Sequence, residues 1–216
     1  MAPIRADDPK QDPRGVLAAI KRRYACKCFD RTQKISNQDL DLILEAGRLS
    51  PSSFGLEHWH FYVSREQAML DRMYEACFAQ ENIRTCAALI TIAVRTAPSY
   101  HPESDFVRSR AERFPGGYRA FIDEYRGFWE FLVQNGTIEA WARSQGYIAA
   151  ANMMTMATSL GIDSCAIEGY KEEAVLTILE LPRNDWRISL LLPLGYRDEP
   201  IREKIRMPKE SIMTEK

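Results

Sequence analysis

The chain contains 216 residues, of which 45% are hydrophobic and 27% are charged. These are the proportions of a soluble globular protein, and they exclude a disordered, collagen-like or disulfide-stapled chain. Because 29 lysines and arginines stand against 30 aspartates and glutamates, the formal net charge is −1. We therefore expect a single domain over residues 1–216 that binds neither nucleic acid nor membrane, and any anionic ligand must be held by a local group of cations.

The cysteines and the N-terminal residues indicate the cellular compartment of the protein. The five cysteines are an odd number, are scattered, and include no Cys-x-x-Cys spacing. This pattern favours reduced thiols in a reducing compartment, and we expect no metal site. Residues 1–13 are polar and lack the apolar stretch of a signal peptide, so they are predicted to form a loose arm. The sequence thus predicts a cytoplasmic protein.

The predicted elements alternate between helices and strands along the chain. Apolar residues at helical spacing predict five helices, over residues 15–24, 37–49, 65–78, 138–160 and 171–179. Ser36 is the predicted N-cap of the second helix. Aromatic, β-branched or continuously apolar runs predict strands over residues 59–63, 87–94, 164–167 and 187–194.

Two segments differ from this alternating pattern. Residues 96–137 combine several prolines and glycines with many charges and aromatics, which indicates a cap over the rest of the domain with one or two helices. Residues 195–216 contain two prolines and many charges, so we expect an extension along a surface, the protein's own or a partner's.

Two small groups of cations lie near the two ends of the chain. Arg23 and Lys27 form one group, and Lys204 and Arg206 form the other. Each group taken alone is typical of a solvated surface. If folding brings them together, they suit a phosphate group. No catalytic triad or phosphate-binding glycine loop can be assembled, so if the protein is an enzyme, a bound cofactor would have to supply the chemistry.

Four motifs, in their order and spacing, resemble the FMN-dependent nitroreductase family of the oxygen-insensitive type over residues 17–209. The motifs are Arg23-Tyr-Ala-Cys-Lys27-Cys-Phe29-Asp30, Ser50-Pro51-Ser52-Ser53-Phe54-Gly55 with Trp59-His60-Phe61, Gly161-Ile-Asp-Ser-Cys-Ala-Ile167-Glu168-Gly169-Tyr170, and Lys204-Ile-Arg206-Met207-Pro208. The resemblance implies an α+β fold, a nitroreductase-like three-layer α/β/α sandwich with a central mixed, mainly antiparallel sheet. It also implies a homodimer with shared active sites and a swapped C-terminal extension.

The resemblance further implies which residues hold FMN. Arg23, Lys204 and Arg206 would bind its phosphate, and Lys27 would lie beside the pyrimidine edge, where reduction places negative charge. The other subunit would contribute the segment of Pro51, Ser52 and Ser53, and Gln145 would lie near the ribityl chain. The family often has serine at the position of Ala25, so one hydroxyl donor to the phosphate is lost here.

The segment of Ala166, Ile167, Glu168 and Gly169 would pass over the isoalloxazine ring. A backbone N–H of this segment would face N5, and Glu168 would position the nicotinamide, so Lys27, Glu168 and Gly169 are the expected catalytic positions. Asn82 is expected near the flavin O2, with Gln80 as the alternative. Phe121, Tyr125 and Phe128, together with Trp129, either line a substrate slot or belong to the core.

The implied activity is a ping-pong transfer of electrons from NADH or NADPH through FMN to nitroaromatics, quinones or similar electron-poor acceptors. Three alternatives remain open at this stage. They are a flavin-binding protein with little turnover, a family member that reduces or dehalogenates a specific metabolite, and a non-flavin interaction module that uses its basic tail.

Overall fold

The computed structural model describes residues 13–216, so residues 1–12 of the predicted N-terminal arm lie outside the described residues. The helices are α1 (Pro13–Arg22), α2 (Asn37–Arg48), α3 (Gln67–Ala76), α4 (Glu81–Thr85), α5 (Asp105–Ala111), α6 (Gly117–Gln134), α7 (Ile138–Ser159) and α8 (Glu172–Ile178). The strands are β1 (Trp59–Ser64), β2 (Ala88–Arg95), β3 (Asp163–Ser164) and β4 (Trp186–Gly195).

Local sequence signals account for most of these boundaries. Ser36 caps α2 as predicted, because its Oγ accepts a hydrogen bond of 3.0 Å from the backbone N–H of Asp39. The predicted strand over residues 164–167 is only partly formed: β3 ends at Ser164, and Ile167 makes an isolated bridge with Leu191. The short helix α4 has no prediction behind it, since five residues are too few for a helical period to be recognised.

The four strands form one sheet in the order β1-β2-β4-β3, and each neighbouring pair is antiparallel. One isolated parallel bridge joins Ala25 to Ser164 at the β3 edge. The sheet is therefore mainly antiparallel, as expected. Among residues 13–216, no helix combines the length and apolar character that a bilayer crossing requires.

Helices cover both faces of the sheet, because successive side chains of a strand point to opposite faces. On one face, Leu89 and Ala93 of β2 pack against α3, α4 and α8, whose buried side chains are Leu70, Met73, Ile83, Val175 and Leu176. On the other face, Ile90 and Ile92 pack against α2 and α7, whose buried side chains are Leu40, Ile43, Ala150, Met153 and Ala157. This arrangement confirms the expected α+β fold.

A β-bulge at Ser189 changes the register between β2 and β4. Ile92 pairs with Leu190, whereas Ala93 pairs with Ile188, so Ser189 has no partner across the ladder. Its Oγ donates to the carbonyl oxygen of Arg143 on α7 at 2.6 Å. Helix α7 approaches closely here because Gly146 has no side chain; an added Cβ would collide with Ser189.

Residues 96–137 fold into a 3₁₀ turn (Ala97–Tyr100) followed by α5 and α6, in agreement with the predicted helices. These helices enclose their own cluster of buried side chains, and Tyr125 donates a hydrogen bond of 2.7 Å to the carbonyl oxygen of Tyr100. Leu56, Val94 and Ala142 from outside the segment belong to the same cluster. Residues 96–137 therefore pack onto the loop before β1, the end of β2 and helix α7.

Candidate functional site

The cations from the two ends of the chain meet in one cleft of about 260 Å³, which we call the cation cleft. Arg23, Lys204 and Arg206 line it together with Ala25, and the Lys204 ammonium donates a hydrogen bond to the carbonyl oxygen of Arg23. Burial, followed by the charges of Arg23 and Arg206, lowers the pKa of Lys204. The structure therefore brings together three of the predicted phosphate-binding residues, and Ala25 with them.

The C-terminal segment is held against residues 24–30 by side-chain and backbone hydrogen bonds. An oxygen of Glu199 accepts from the backbone N–H of Lys27 at 2.7 Å and from the hydroxyl of Tyr24 at 3.1 Å. The backbone N–H of Asp198 donates to the carbonyl oxygen of Cys28 at 3.0 Å. Sequence reasoning missed Glu199, because a lone glutamate in a charged tail carries no local signal of such a contact.

Lys27 lies next to the cation cleft, with its ammonium 3.6 Å from the sulfur of Cys165. Burial raises the pKa of Cys165, and the charges of Lys27 and Arg23 oppose this shift. Asn82 is 2% exposed, and its amide donates to the carbonyl oxygen of Cys26 at 3.1 Å. The carbonyl oxygen of the Asn82 side chain has no hydrogen-bond partner among the described residues, and the same holds for the Ser164 hydroxyl.

The predicted ring-facing segment runs along this group of residues. Ile167 is buried and exchanges two backbone hydrogen bonds with Leu191, of 2.8 and 3.0 Å. Ala166, Glu168 and Gly169 are exposed. One buried residue therefore anchors the segment to the sheet, and the residues on either side of it are exposed.

Two further contacts hold this segment. The first joins the Glu168 carboxylate to Tyr147 on α7: burial, followed by this neighbouring carboxylate, raises the pKa of Tyr147 to about 12. The side-chain amide of Gln80 donates to the carbonyl oxygen of Gly169 at 2.8 Å and to that of Cys77 at 2.9 Å. Gln80 and Asn82, the two alternatives of the sequence analysis, thus both touch this group of residues, Gln80 at Gly169 and Asn82 at Cys26.

The segment of Pro51, Ser52 and Ser53 contacts a different part of the molecule. The backbone N–H of Ser53 donates to the Gln145 side chain at 2.9 Å, and the Ser52 hydroxyl accepts from the backbone N–H of Glu57 at 2.9 Å. Gln145 and Tyr147 are about 200° apart around the axis of α7. In residues 13–216, no hydrogen bond joins this segment or Gln145 to the residues of the cation cleft or to Lys27.

Two of the four candidate slot residues are buried. Phe121 and Tyr125 are 1% and 0% exposed, whereas Phe128 is half-buried. All three rings surround Phe54, at centroid distances of 6.0, 5.2 and 5.3 Å. Phe121 and Tyr125 therefore belong to the core of residues 96–137, and a role in a substrate slot stays a prediction that rests on Phe128 and Trp129, which are both half-buried.

Comparison with known proteins supports the reading of these motifs. A model described as the Nitroreductase family matches residues 20–196. A Bacillus subtilis protein named "Putative NAD(P)H nitroreductase YfkO" is 34% identical over 211 residues, covering 92% of this chain and 96% of the relative. A Staphylococcus epidermidis protein that is also named a "Putative NAD(P)H nitroreductase" is 35% identical over 213 residues, covering 92% and 96%.

Solved structures share the fold. A nitroreductase-like protein from Streptococcus mutans superposes with a TM-score of 0.80 at 18% identity, covering 92% of this chain and 96% of that one. An Exiguobacterium sibiricum protein, described as "a putative nitroreductase in complex with FMN", superposes with a TM-score of 0.76 at 18% identity, covering 96% and 98%. The matched family model, the full-length relatives and the common fold lead to one conclusion: the chain belongs to the nitroreductase family.

Proposed function

We propose that this protein is an NAD(P)H-dependent oxidoreductase that binds FMN and reduces nitroaromatics, quinones or similar electron-poor acceptors. The observation that carries the proposal is the convergence of Arg23, Lys204 and Arg206 in one cleft beside Lys27. The names of the curated relatives and the FMN complex of a solved structure with the same fold support it.

The residues of the cation cleft fit a phosphate. Arg23, Lys204 and Arg206 form no ion pair with a carboxylate of residues 13–216, and their charges repel one another. A dianionic phosphate would relieve this repulsion and accept hydrogen bonds from all three side chains. Glu203 also lines the cleft but is not ion-paired with any of the three cations, so their excess of positive charge favours an anionic ligand of this kind.

The neighbouring residues fit the remainder of FMN. The Lys27 ammonium supplies a positive charge for the pyrimidine edge, and the unpartnered oxygens of Asn82 and Ser164 are buried nearby. The backbone of Ala166, Glu168 and Gly169 is exposed and would face the flat ring system. Buried polar atoms without partners are costly, so a ligand that completes their hydrogen bonds would bind more tightly.

FMN held by these residues would supply the redox chemistry that connects NAD(P)H oxidation to reduction of an acceptor, and we expect the two half-reactions to follow ping-pong kinetics. The chain's own contribution is to bind and orient. Lys27 holds a fixed positive charge where an anion is favoured, the Glu168 carboxylate offers an acceptor for the nicotinamide amide, and the Gly169 backbone is held in place by Gln80.

We further propose that the active site is completed by a second copy of the chain, with a swapped C-terminal extension. Pro51, Ser52, Ser53 and Gln145 have their contacts away from the cation cleft within one protomer, which suits a contribution to the partner's site. The C-terminal extension exposes apolar side chains that a partner would cover: Ile205, Met207, Ile212 and Met213. We also propose that the protein is cytoplasmic, which its five free cysteines support because free thiols persist in a reducing compartment.

The test begins with the purified protein and its absorption spectrum. We expect a yellow protein that releases FMN on denaturation and whose flavin absorption band bleaches on mixing with NADH or NADPH in the absence of an acceptor. Mixing the bleached protein with a quinone or nitroaromatic should restore the band. A colourless protein that does not take up FMN refutes the proposal, and a yellow protein without NAD(P)H oxidation identifies a low-turnover flavin-binding protein instead. Bleaching that requires the acceptor to be present contradicts the ping-pong order.

A further inference from the structure

A cavity of about 460 Å³ with both polar and aromatic lining lies between the start of β1, the end of β2, the start of β4 and helix α5. We call it the arginine cavity. It shares no lining residue with the cation cleft. The residues used below are those that give it charge, hydrogen-bonding groups and aromatic walls: His58, Trp59, Arg95, Phe106, Arg110 and Trp186.

Two guanidinium groups of the cavity are held in place by aromatic rings. Arg95 stacks over Trp186 with 3.9 Å to the ring centroid, and Arg110 stacks over Phe106 with 4.0 Å. Arg110 also donates to the carbonyl oxygen of Leu56 at 3.2 Å. Stacking fixes the plane of a guanidinium and lowers the entropic cost of binding a planar anion.

Neither arginine is engaged in an ion pair within the described residues. In the described part of the chain, no carboxylate lies within ion-pair distance of Arg95 or Arg110. Burial, followed by the charges of Arg113 and Arg95, lowers the pKa of Arg110, and the carboxylate of Glu57 opposes this shift. The cavity thus contains two arginine charges that repel each other and, among its lining residues, one carboxylate, that of Asp105.

His58 adds an unused polar group to the same wall. Its side chain is 1% exposed, and neither ring nitrogen has a hydrogen-bond partner among residues 13–216. The ring packs between Tyr100 and Trp141, at centroid distances of 5.2 and 4.4 Å. Burial and the charge of Arg110 lower the pKa of His58 to about 3, so the imidazole is neutral and can donate one hydrogen bond and accept another.

We propose that the arginine cavity is a second ligand site, which binds a small aromatic carboxylate with its anionic group between Arg95 and Arg110. A carboxylate matches the two-pronged donor geometry of a guanidinium, and the rings of Trp59, Phe106 and Trp186 give the cavity aromatic walls that suit an aromatic body. Asp105 also lines the cavity and disfavours a second negative charge, which selects a monoanion over a phosphate. The volume falls in the range of roughly 300–1,000 Å³ typical of small-molecule sites.

The experiment compares benzoate with its neutral isostere benzamide by calorimetric titration into the FMN-saturated protein. We expect benzoate to bind at least about tenfold more tightly, because a hydrogen-bonded charge contributes more than a neutral group of the same shape. Arg95→Gln and Arg110→Gln should each weaken benzoate binding by about tenfold or more. The flavin absorption band and the rate of NAD(P)H oxidation should stay unchanged, since the cavity is separate from the cation cleft.

Arg108→Gln is the matched control. Arg108 lies on α5 like Arg110 and stacks over an aromatic ring, Tyr118, at 4.5 Å, but it does not line the cavity. This variant should leave benzoate affinity within about twofold of the wild type, as expected for a surface change away from the ligand. Thermal melting verifies that each variant is folded, and Arg110→Lys, which keeps the charge but loses the fork, should give an intermediate affinity.

Several results would overturn the proposal. Equal binding of benzoate and benzamide would show that the arginine pair does not select an anion. Unchanged affinity in a folded Arg95→Gln or Arg110→Gln variant would do the same, as would equal weakening in Arg108→Gln. Benzoate that shifts the flavin band and competes with NAD(P)H would bind at the flavin site, and the arginine cavity would then have no demonstrated ligand.

Discussion

Replacing Arg206 by alanine tests the cation cleft with little interference from the fold. Arg206 is exposed, and its guanidinium donates a hydrogen bond of 2.6 Å to the carbonyl oxygen of its own neighbour, Ile205. Since Arg206 makes no ion pair with a carboxylate of residues 13–216, we expect the free energy of unfolding of the apoprotein to change by less than about 0.5 kcal/mol.

FMN binding should respond much more strongly. A hydrogen bond to a charged partner contributes about 1.5–3 kcal/mol, and exposure to solvent places Arg206 in the lower half of that range. A loss of about 2 kcal/mol corresponds to a roughly 30-fold higher Kd for FMN. With FMN in excess, ligand binding would then stabilise the variant by about 2 kcal/mol less than the wild type, which lowers Tm by about 4–8 °C in a chain of this length.

The assay is fluorescence titration of the apoprotein with FMN, accompanied by thermal melting with and without FMN. Lys209→Ala is the matched control, because Lys209 is a cation of the same C-terminal extension that does not line the cation cleft. It should leave both Kd and Tm unchanged. A change in Kd of less than about threefold for Arg206→Ala, or an equal loss in Lys209→Ala, would refute the assignment of the phosphate to this cleft.

Two further predictions concern stability. Gly146→Ala should lower the free energy of unfolding by about 1–3 kcal/mol, because an added Cβ would lie 2.7 Å from the Cβ of Ser189 and 3.1 Å from Cγ2 of Ile92. Gly127→Ala, with nothing within 4 Å of an added Cβ, should instead raise it by about 0.5–1 kcal/mol. Urea melts that rank the two variants the other way would contradict this packing. Burial lowers the pKa of His58 to about 3, so the unfolded chain, with a histidine pKa of about 6.5, takes up the proton first and stability falls as the pH drops below that value. Relative to His58→Phe, the wild type should lose about 2 kcal/mol more between about pH 7 and pH 5, and parallel pH profiles in urea titrations would contradict the burial of a neutral imidazole.

The elements with strong local signals could be predicted from the sequence. The serine before α2 and the continuous apolar run of β2 each depend on a handful of consecutive residues, and the structure confirms both. The bulge at Ser189 could not be predicted, because it depends on how closely α7 approaches the sheet at Gly146. Such a contact joins residues far apart in sequence, and no periodic pattern records it.

The candidate site divides in the same way. Arg23, Lys27, Lys204 and Arg206 could be selected as cations in motifs, and their convergence could be expected from the family resemblance. The contact of Glu199 with the Lys27 backbone carries no such signal, since its two partners are separated by 172 residues. The arginine cavity depends on helix α5 meeting the ends of β1, β2 and β4. Arg95 and Arg110 are therefore two ordinary arginines until the chain is folded.

The sequence by itself determined the composition class, the family, most of the secondary structure and the residue types available for binding an anionic cofactor. Only the tertiary structure decided which side of α7 each candidate faces, that Phe121 and Tyr125 are core residues, and that Arg95 and Arg110 share a cavity. The physical reason is the separation along the chain of the residues that interact. Helix caps, strand periods and motifs arise between near neighbours in the chain, whereas burial and electrostatic repulsion depend on distances that folding alone creates.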